Sequence, residues 1–187
     1  MHPNDKQALR KSVRAAFPGE SFRARESRDI CRCAADWQPF RDAQVVAGYI
    51  PMAHEADITP LMAHLLRTGR ILALPRCEAD GMMTFRRVDS LEELPAGRWG
   101  FPEPPEDAPL VSPRGIDLIL VPLEAYDMQG MRLGKGGGYY DRILAQTNAV
   151  TLGVALSHQR AAHVPCQPHD IPLQAVVTAQ GIHVFHR

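Results

Sequence analysis

Short apolar runs recur along the chain and alternate with segments of amphipathic or polar character. Continuous runs of four to six apolar residues, bounded by turn residues, are typical of strands buried on both faces. On this basis we predict strands over residues 44–49, 71–74, 82–88, 117–121, 151–155 and 175–178. Pro75 and Pro122 directly follow two of these runs and are predicted to end them, because proline cannot donate to a strand ladder.

Helices are predicted between the strands, over residues 4–17, 21–37, 59–69 and 140–145. Asn4 or Asp5 can cap the first helix, and Thr59 is predicted to cap the third, with Pro60 in its first turn. Segment 99–113 has five prolines in fifteen residues and is predicted to be a loop.

Strands that are apolar on both faces and alternate with helices predict a three-layer α/β/α fold around a mainly parallel sheet. The chain has 187 residues, 45% of them hydrophobic. That length fits one domain over residues 1–187 and can bury a sizeable core.

The charge balance argues against one broad class of function. Lys plus Arg and Asp plus Glu both number 21, so the net charge is zero, whereas nucleic-acid binders usually have a basic excess. The chain has four cysteines, which we interpret as reduced thiols, and lacks both a membrane-length apolar run and an apolar N-terminal stretch. We therefore expect a cytoplasmic protein with neither a nucleic-acid nor a membrane partner.

A glycine-rich segment, residues 130–142, lies between the predicted strand 117–121 and the last predicted helix. Glycines allow positive φ and close approach of a ligand, and Arg132 and Lys135 add positive charge, so the segment is suited to phosphate. The spacing fits neither a Walker A loop nor a dinucleotide fingerprint. The alternative is a flexible turn with solvated charges.

The string Arg132-Leu133-Gly134-x-Gly136-x-Gly138-Tyr139-Tyr140-Asp141-Arg142 resembles the signature of the 5-formyltetrahydrofolate cyclo-ligase family. Further segments resemble the family in the same order, namely Lys6-x-x-Leu9-Arg10, 49–59, Leu74-Pro75-Arg76, 99–104, His169-Asp170 and 176–178. The chain departs from the family pattern at Glu124, which adds negative charge near a site for anions, and at Gly137, where some relatives have lysine.

The resemblance implies a fold similar to that shared by ribose-5-phosphate isomerase and CoA transferases. It implies a monomeric enzyme that uses ATP and Mg²⁺ to convert 5-formyltetrahydrofolate into 5,10-methenyltetrahydrofolate, with release of ADP and phosphate. In that reaction the formyl oxygen attacks the γ-phosphorus of ATP, and N10 then closes the ring as phosphate leaves.

The resemblance also implies a role for each site residue. The ATP site would comprise Lys6, Arg10, Arg132, Leu133, Gly134, Lys135, Gly136, Gly137, Gly138, Tyr139 and Tyr140. The folate site would comprise Ile50, Glu55, Lys135, Gly136, Gly137, Gly138 and Tyr139. Arg132 and Lys135 would be catalytic, and Asp141 and Asp170 would bind Mg²⁺. Trp99 is predicted to pack in the core rather than to stack on the pterin.

Each role has a simpler alternative. Lys6 and Arg10, four residues apart, share a helix face that could be merely solvated. Asp141 could be a first-turn acid favoured by the helix dipole, and Glu55 an exposed acid. For the whole chain, the alternatives are a sugar-phosphate isomerase or transferase that needs no ATP, and a non-catalytic folate- or nucleotide-binding protein. We further expect Arg132→Ala to lower turnover far more than stability, because the loop is predicted to lie outside the apolar core.

Overall fold

A computed structural model describes residues 3–78, 82–92, 94–97 and 100–186. Its helices are α1 (Pro3–Ala15), α2 (Glu20–Asp36), α3 (Gln38–Asp42), α4 (Thr59–Arg67) and α5 (Tyr139–Leu144). Its strands are β1 (Val45–Ala47), β2 (Ile71–Cys77), β3 (Met83–Val88), β4 (Leu110–Val111), β5 (Leu118–Pro122), β6 (Ala125–Tyr126), β7 (Arg132–Leu133), β8 (Val150–Val154), β9 (Ala175–Thr178) and β10 (Gly181–Val184). None of these described helices combines the length and the apolar character that a membrane crossing requires.

Eight strands form one sheet in the order β10-β9-β8-β5-β1-β2-β3-β4, and β6 and β7 form a separate hairpin. The five central strands, from β9 to β2, pair in parallel. The outer strands β10, β3 and β4 each pair antiparallel with their neighbours. The predicted mainly parallel sheet is therefore confirmed, with antiparallel strands added at both edges.

Helical layers cover both faces of the sheet. Leu118 and Leu120 of β5 point toward a core that includes Ile30 of α2, Phe40 of α3 and Leu65 of α4. The alternate residues of β5, Ile119 and Val121, point to a second core that includes Ile143 and Leu144 of α5. Because both faces are buried, β5 reads in the sequence as an uninterrupted apolar run. The predicted α/β/α layering is confirmed.

Helix α1 packs away from the two main cores. Its residue Val13, with Leu9 beside it, contacts a small cluster formed by Ala125 and Leu133 of the hairpin and by Val164. This packing fixes α1 against β6 and β7, next to the glycine-rich segment that follows β7.

Three predicted boundaries are wrong for identifiable reasons. Strand β2 continues through Pro75 to Cys77. Because β1 pairs only with residues 71–73, no partner strand lies beside Pro75 on the β1 side, and the missing N–H of proline is tolerated there. Pro122 likewise lies within β5. Thr59 is inside α4 rather than its cap, and its N–H donates to Asp57 Oδ1 at 2.9 Å.

Two further predictions concern the ends of elements and the proline-rich segment. Helix α1 already includes Pro3, so it begins before the predicted caps at residues 4 and 5. Part of the predicted loop 99–113 is strand β4, which pairs with Phe85 and Arg86 of β3. Trp99 lies outside the described residues, so its predicted core packing stays a prediction.

Candidate active site

A cavity of ≈270 Å³ lies where β5 ends, bordered by α1, β7, the start of α5 and segment 167–170. Its lining comprises Lys6, Arg10, Glu55, Met83, Pro122, Leu123, Arg132, Leu133, Gly134, Lys135, Gly136, Gly137, Gly138, Tyr139, Tyr140, Asp141, Gln167, His169 and Asp170. Ligands of open α/β sheets bind at the carboxyl ends of strands, where this cavity is found. One predicted site residue is absent from the lining: Ile50 packs instead against the core beneath α2 and α4.

The glycine loop, residues 134–138, connects β7 to α5 along one side of the cavity. Gly136 has φ +108° and Gly138 has φ +64°, conformations that residues with a Cβ rarely adopt. A Cβ on Gly136 would lie 3.5 Å from the Arg10 guanidinium, so the loop backbone passes close to α1. Helix α5 itself has only six residues, which limits what its dipole can add.

Three basic residues of α1, each four positions after the last, point toward the cavity or its border. Lys6 Nζ donates to Asp170 Oδ2 at 2.6 Å, and Arg10 Nε donates to the Gly134 carbonyl at 2.8 Å. One turn further, Arg14 donates to both oxygens of Glu124, at 3.0 and 2.5 Å. The alternative of a merely solvated helix face is therefore wrong.

Glu124 has a structural explanation that the sequence did not provide. It is buried directly after β5 and forms a bidentate pair with Arg14, whose pKa this hydrogen bond raises. The carboxylate thus contributes to the attachment of α1, and its charge is opposed by a cation of that helix.

Arg132 and Asp141 form an ion pair at the floor of the glycine loop. Arg132 is 6% exposed, and its Nη2 donates to Asp141 Oδ1 at 2.6 Å. Burial lowers the pKa of Arg132, while the negative charge of Asp141 acts in the opposite direction. Arg132 belongs to none of the apolar clusters, yet it is buried in strand β7 of the hairpin, so its removal also affects the fold.

Glu55 and Lys135 form another charged pair in the cavity lining. Glu55 is 6% exposed, and its Oε2 accepts from Met52 N at 2.9 Å. Lys135 Nζ lies 2.7 Å from Glu55 Oε1, close enough for an ion pair although the angles are not those of a hydrogen bond. The alternative of an exposed Glu55 is wrong.

The cavity lining contains three carboxylates, Glu55, Asp141 and Asp170, of which Asp141 and Asp170 are the predicted metal ligands. Burial alone would raise the pKa of Asp170, but hydrogen bonds from Lys6 and from the Gln167 N–H outweigh it and lower the pKa. Among the described residues, no group of three or more His, Cys, Asp and Glu is placed to hold a metal. Mg²⁺ commonly binds one or two carboxylates and completes its shell with phosphate oxygens and water. This donor set therefore fits Mg²⁺ bound together with a phosphate ligand.

Several lining residues were not singled out from the sequence, notably Met83, Leu123 and Gln167. Met83 comes from the antiparallel strand β3, and Gln167 from a loop without regular structure. Local sequence pattern has no signal for such residues, because the three-dimensional approach of distant segments brings them to the cavity.

A mostly parallel α/β sheet with a cationic, glycine-lined cavity at its strand ends defines a protein suited to a phosphorylated ligand. Residues 3–179 match the model of the 5-formyltetrahydrofolate cyclo-ligase family. The chain is 34% identical over 152 residues to 5-formyltetrahydrofolate cyclo-ligase of Escherichia coli K12, covering 78% of this chain and 84% of the relative. The chain belongs to the 5-formyltetrahydrofolate cyclo-ligase family, which confirms the resemblance found in the sequence.

Solved structures agree with this assignment. The chain is similar to the NMR structure of 5,10-methenyltetrahydrofolate synthetase from Aquifex aeolicus, with a TM-score of 0.87, 34% identity and coverage of 97% of this chain and 93% of that one. The chain is also similar in structure to 5,10-methenyltetrahydrofolate synthetase from Mycoplasma pneumoniae, with a TM-score of 0.75 and 23% identity. The match covers 94% of this chain and 99% of that one, and it shows that the fold is shared.

Proposed function

We propose that this protein catalyses the ATP- and Mg²⁺-dependent conversion of 5-formyltetrahydrofolate to 5,10-methenyltetrahydrofolate, with release of ADP and phosphate. The observation that supports it most directly is the convergence of Glu55, Arg132 and the glycine loop on one cavity. The reaction joins a folate oxygen to phosphorus, so the folate and the triphosphate must bind in the same cavity. The carboxylate would bind the folate, and the loop would bind the phosphates.

The triphosphate would be held by the cations that surround the glycine loop. Lys6 and Arg10 approach the loop from α1, whereas Arg132 precedes the loop and Lys135 lies within it. Backbone N–H groups of residues 134–138 add donors at positions where glycine permits close approach. Leu133, Tyr139 and Tyr140 would form the walls of this half of the cavity.

The pterin would bind on the side of Glu55. A buried carboxylate held by Met52 N and facing the cavity can accept hydrogen bonds from the N–H groups of a pterin ring. Lys135 would lie between the two ligands, because it is 44% exposed and already reaches Glu55 from the glycine loop. Ile50 is partly buried at the edge of the first core cluster, and its exposed part is retained as a proposed contact for the folate.

The chemistry proposed for these residues is positioning and charge stabilisation. The formyl oxygen attacks the γ-phosphorus and ADP leaves; N10 then bonds to the formyl carbon, and phosphate departs with the former formyl oxygen. Arg132 and Lys135 would stabilise the charge of the transferring phosphoryl group, which is the main requirement of such reactions. Asp141 and Asp170 would hold Mg²⁺, which neutralises phosphate charge when bound.

The direct test is absorbance of the purified protein with 5-formyltetrahydrofolate and Mg²⁺, with and without ATP. We expect the methenyl chromophore only with ATP, together with one ADP per turnover. If folded protein that still binds ATP forms no methenyl chromophore, the cyclo-ligase reaction is excluded. Isomerisation of a sugar phosphate without ATP would support the first alternative, and ligand binding without turnover the second.

We further propose that the enzyme acts as a monomer in the cytoplasm on small-molecule ligands. Cys31, Cys33 and Cys166 are free thiols, which suits a reducing compartment. Sedimentation of the purified protein tests the monomeric state, with a mass near 20.7 kDa expected.

A further inference from the structure

The hydroxyl group of Tyr140 is buried next to the cavity without an internal partner. Tyr140 is the second residue of α5 and contributes to the cavity lining. Its hydroxyl oxygen is inaccessible to solvent, and within the described part of the chain it makes no hydrogen bond. Buried polar groups are almost always paired, so an unpaired hydroxyl at a cavity indicates a partner supplied by a ligand.

The neighbours of this hydroxyl are the groups assigned to the two ligands. Burial raises the pKa of Tyr140, the negative charge of Glu55 raises it further, and the positive charge of Arg132 lowers it. Glu55, Arg132 and Tyr140 all line the same cavity, so the hydroxyl shares it with the proposed folate-binding carboxylate and the proposed phosphate-binding guanidinium.

The adjacent tyrosine is arranged differently. The guanidinium carbon of Arg142 lies over the ring of Tyr139, 5.0 Å from the ring centroid. That ring also borders a second, apolar groove beside β3 and β4. Tyr139 thus offers a ring surface, whereas Tyr140 offers a desolvated hydrogen-bond donor, and the two residues differ in what they can do for a substrate.

We propose that the Tyr140 hydroxyl donates a hydrogen bond to the formyl oxygen of bound 5-formyltetrahydrofolate and aligns that oxygen for attack on phosphorus. This inference rests on the proposed function. A carbonyl oxygen has two lone pairs, so one accepts from Tyr140 while the other faces the γ-phosphorus. The donor remains useful after transfer, because the same oxygen leaves as a phosphate oxygen when N10 closes the ring.

The test is Tyr140→Phe, which removes one oxygen atom and keeps the ring, with Tyr126→Phe, at a tyrosine outside the cavity lining, as the matched control. Deleting an unpaired donor leaves no buried group unsatisfied, so we expect thermal stability equal to or above wild type. We expect kcat to fall at least tenfold, on the order expected for one lost hydrogen bond in the transition state, while KM for ATP changes less than threefold. Tyr126→Phe should keep kcat within threefold.

Binding measurements separate this role from a structural one. Calorimetry would compare 5-formyltetrahydrofolate with 5-methyltetrahydrofolate, which lacks the formyl oxygen. We expect Tyr140→Phe to weaken binding of the formyl compound about tenfold, as expected for one lost hydrogen bond, and to leave binding of the methyl compound unchanged. Equal losses for both compounds, or wild-type kcat in Tyr140→Phe, would overturn the inference. Failure of the proposed function is distinguishable, because the wild-type protein would then form no chromophore.

Discussion

Lys6 Nζ and Asp170 Oδ2 lie 2.6 Å apart, although 164 residues separate them in the sequence. Lys6 is proposed to bind phosphate, and Asp170 is proposed to bind Mg²⁺. In the free protein the two side chains bind each other instead. A similar relationship joins Arg132 and Asp141. The cations therefore neutralise the two carboxylates in the free protein, and binding of MgATP as proposed would require these partners to exchange.

We predict that Asp170→Asn raises the Mg²⁺ concentration needed for half-maximal activity by about tenfold or more. Mg²⁺ would lose one of its two carboxylates, and the neutral amide is a weaker ligand for a hard cation. The measurement is initial rate against Mg²⁺ at saturating ATP. Asp29→Asn, on the exposed side of α2, is the control. An unchanged Mg²⁺ dependence in Asp170→Asn would remove Asp170 from the metal site.

The same pair predicts a pH dependence of stability. The pKa of Asp170 is lowered from the ordinary value of 3.8, so its carboxylate stabilises the fold above that value. That stabilisation is lost as pH falls through the lower pKa of the folded state. The free energy of unfolding of wild type minus that of Asp170→Asn should therefore be constant from pH 8 to about 5 and shrink below about 4. Urea titrations at several pH values measure it.

Arg132→Ala is predicted to lower both activity and stability. Removing the guanidinium leaves Asp141 as a carboxylate of low exposure whose remaining partner is Ile171 N, 3.2 Å away. Breaking such a buried pair costs about 3 kcal/mol, which denaturant unfolding would measure. Arg132→Lys keeps the charge and should recover most of the stability but not the turnover. Unchanged stability in Arg132→Ala would contradict the ion pair.

The central strands and most helices could be predicted from the sequence, because a strand buried on both faces leaves a continuous apolar run. Strands β6, β7 and β10 and helix α3 were missed. The hairpin strands have two residues each, too few for any periodicity. Helix α3 has five residues, and its single buried side chain, Phe40, gives no repeating pattern.

The candidate site was predictable in a different way. The glycine motif and the resemblance together supplied nearly all the lining residues, but not their pairing. The sequence offers no means to see that Glu124 binds Arg14, since the two residues are 110 positions apart. Nor does it reveal that Arg132 is buried, because a two-residue strand beside a glycine-rich loop looks solvent-exposed.

Glu55→Gln is predicted to weaken folate binding and leave ATP binding nearly intact. The amide oxygen can still accept from Met52 N, but the negative charge that would attract the pterin N–H groups is lost. We expect Kd for 5-formyltetrahydrofolate to rise about tenfold or more, and Kd for ATP to change less than twofold. Calorimetry with each ligand alone measures both values. Equal weakening of the two ligands would point to a general disturbance of the fold instead.

Neither Arg14 nor Glu124 lines the cavity, so their ion pair tests whether anchoring α1 matters for ligand binding. Arg14→Met leaves Glu124 buried without its bidentate partner, at a cost of about 1–2 kcal/mol, although the 49% exposure of the Arg14 side chain limits the effect. Because α1 also contains Lys6 and Arg10, loosening it should raise KM for ATP several-fold with little change in kcat.

A double-mutant cycle with Glu124→Gln isolates the interaction. If the pair acts as a unit, the double variant should be no less stable than Arg14→Met, since the unpaired charge is gone. Its KM for ATP should nevertheless remain raised, because nothing replaces the link between α1 and the segment after β5. Arg25→Met, at an exposed position on helix α2, is the control for the loss of a surface arginine. Strictly additive changes in stability would show that the two side chains do not interact in solution.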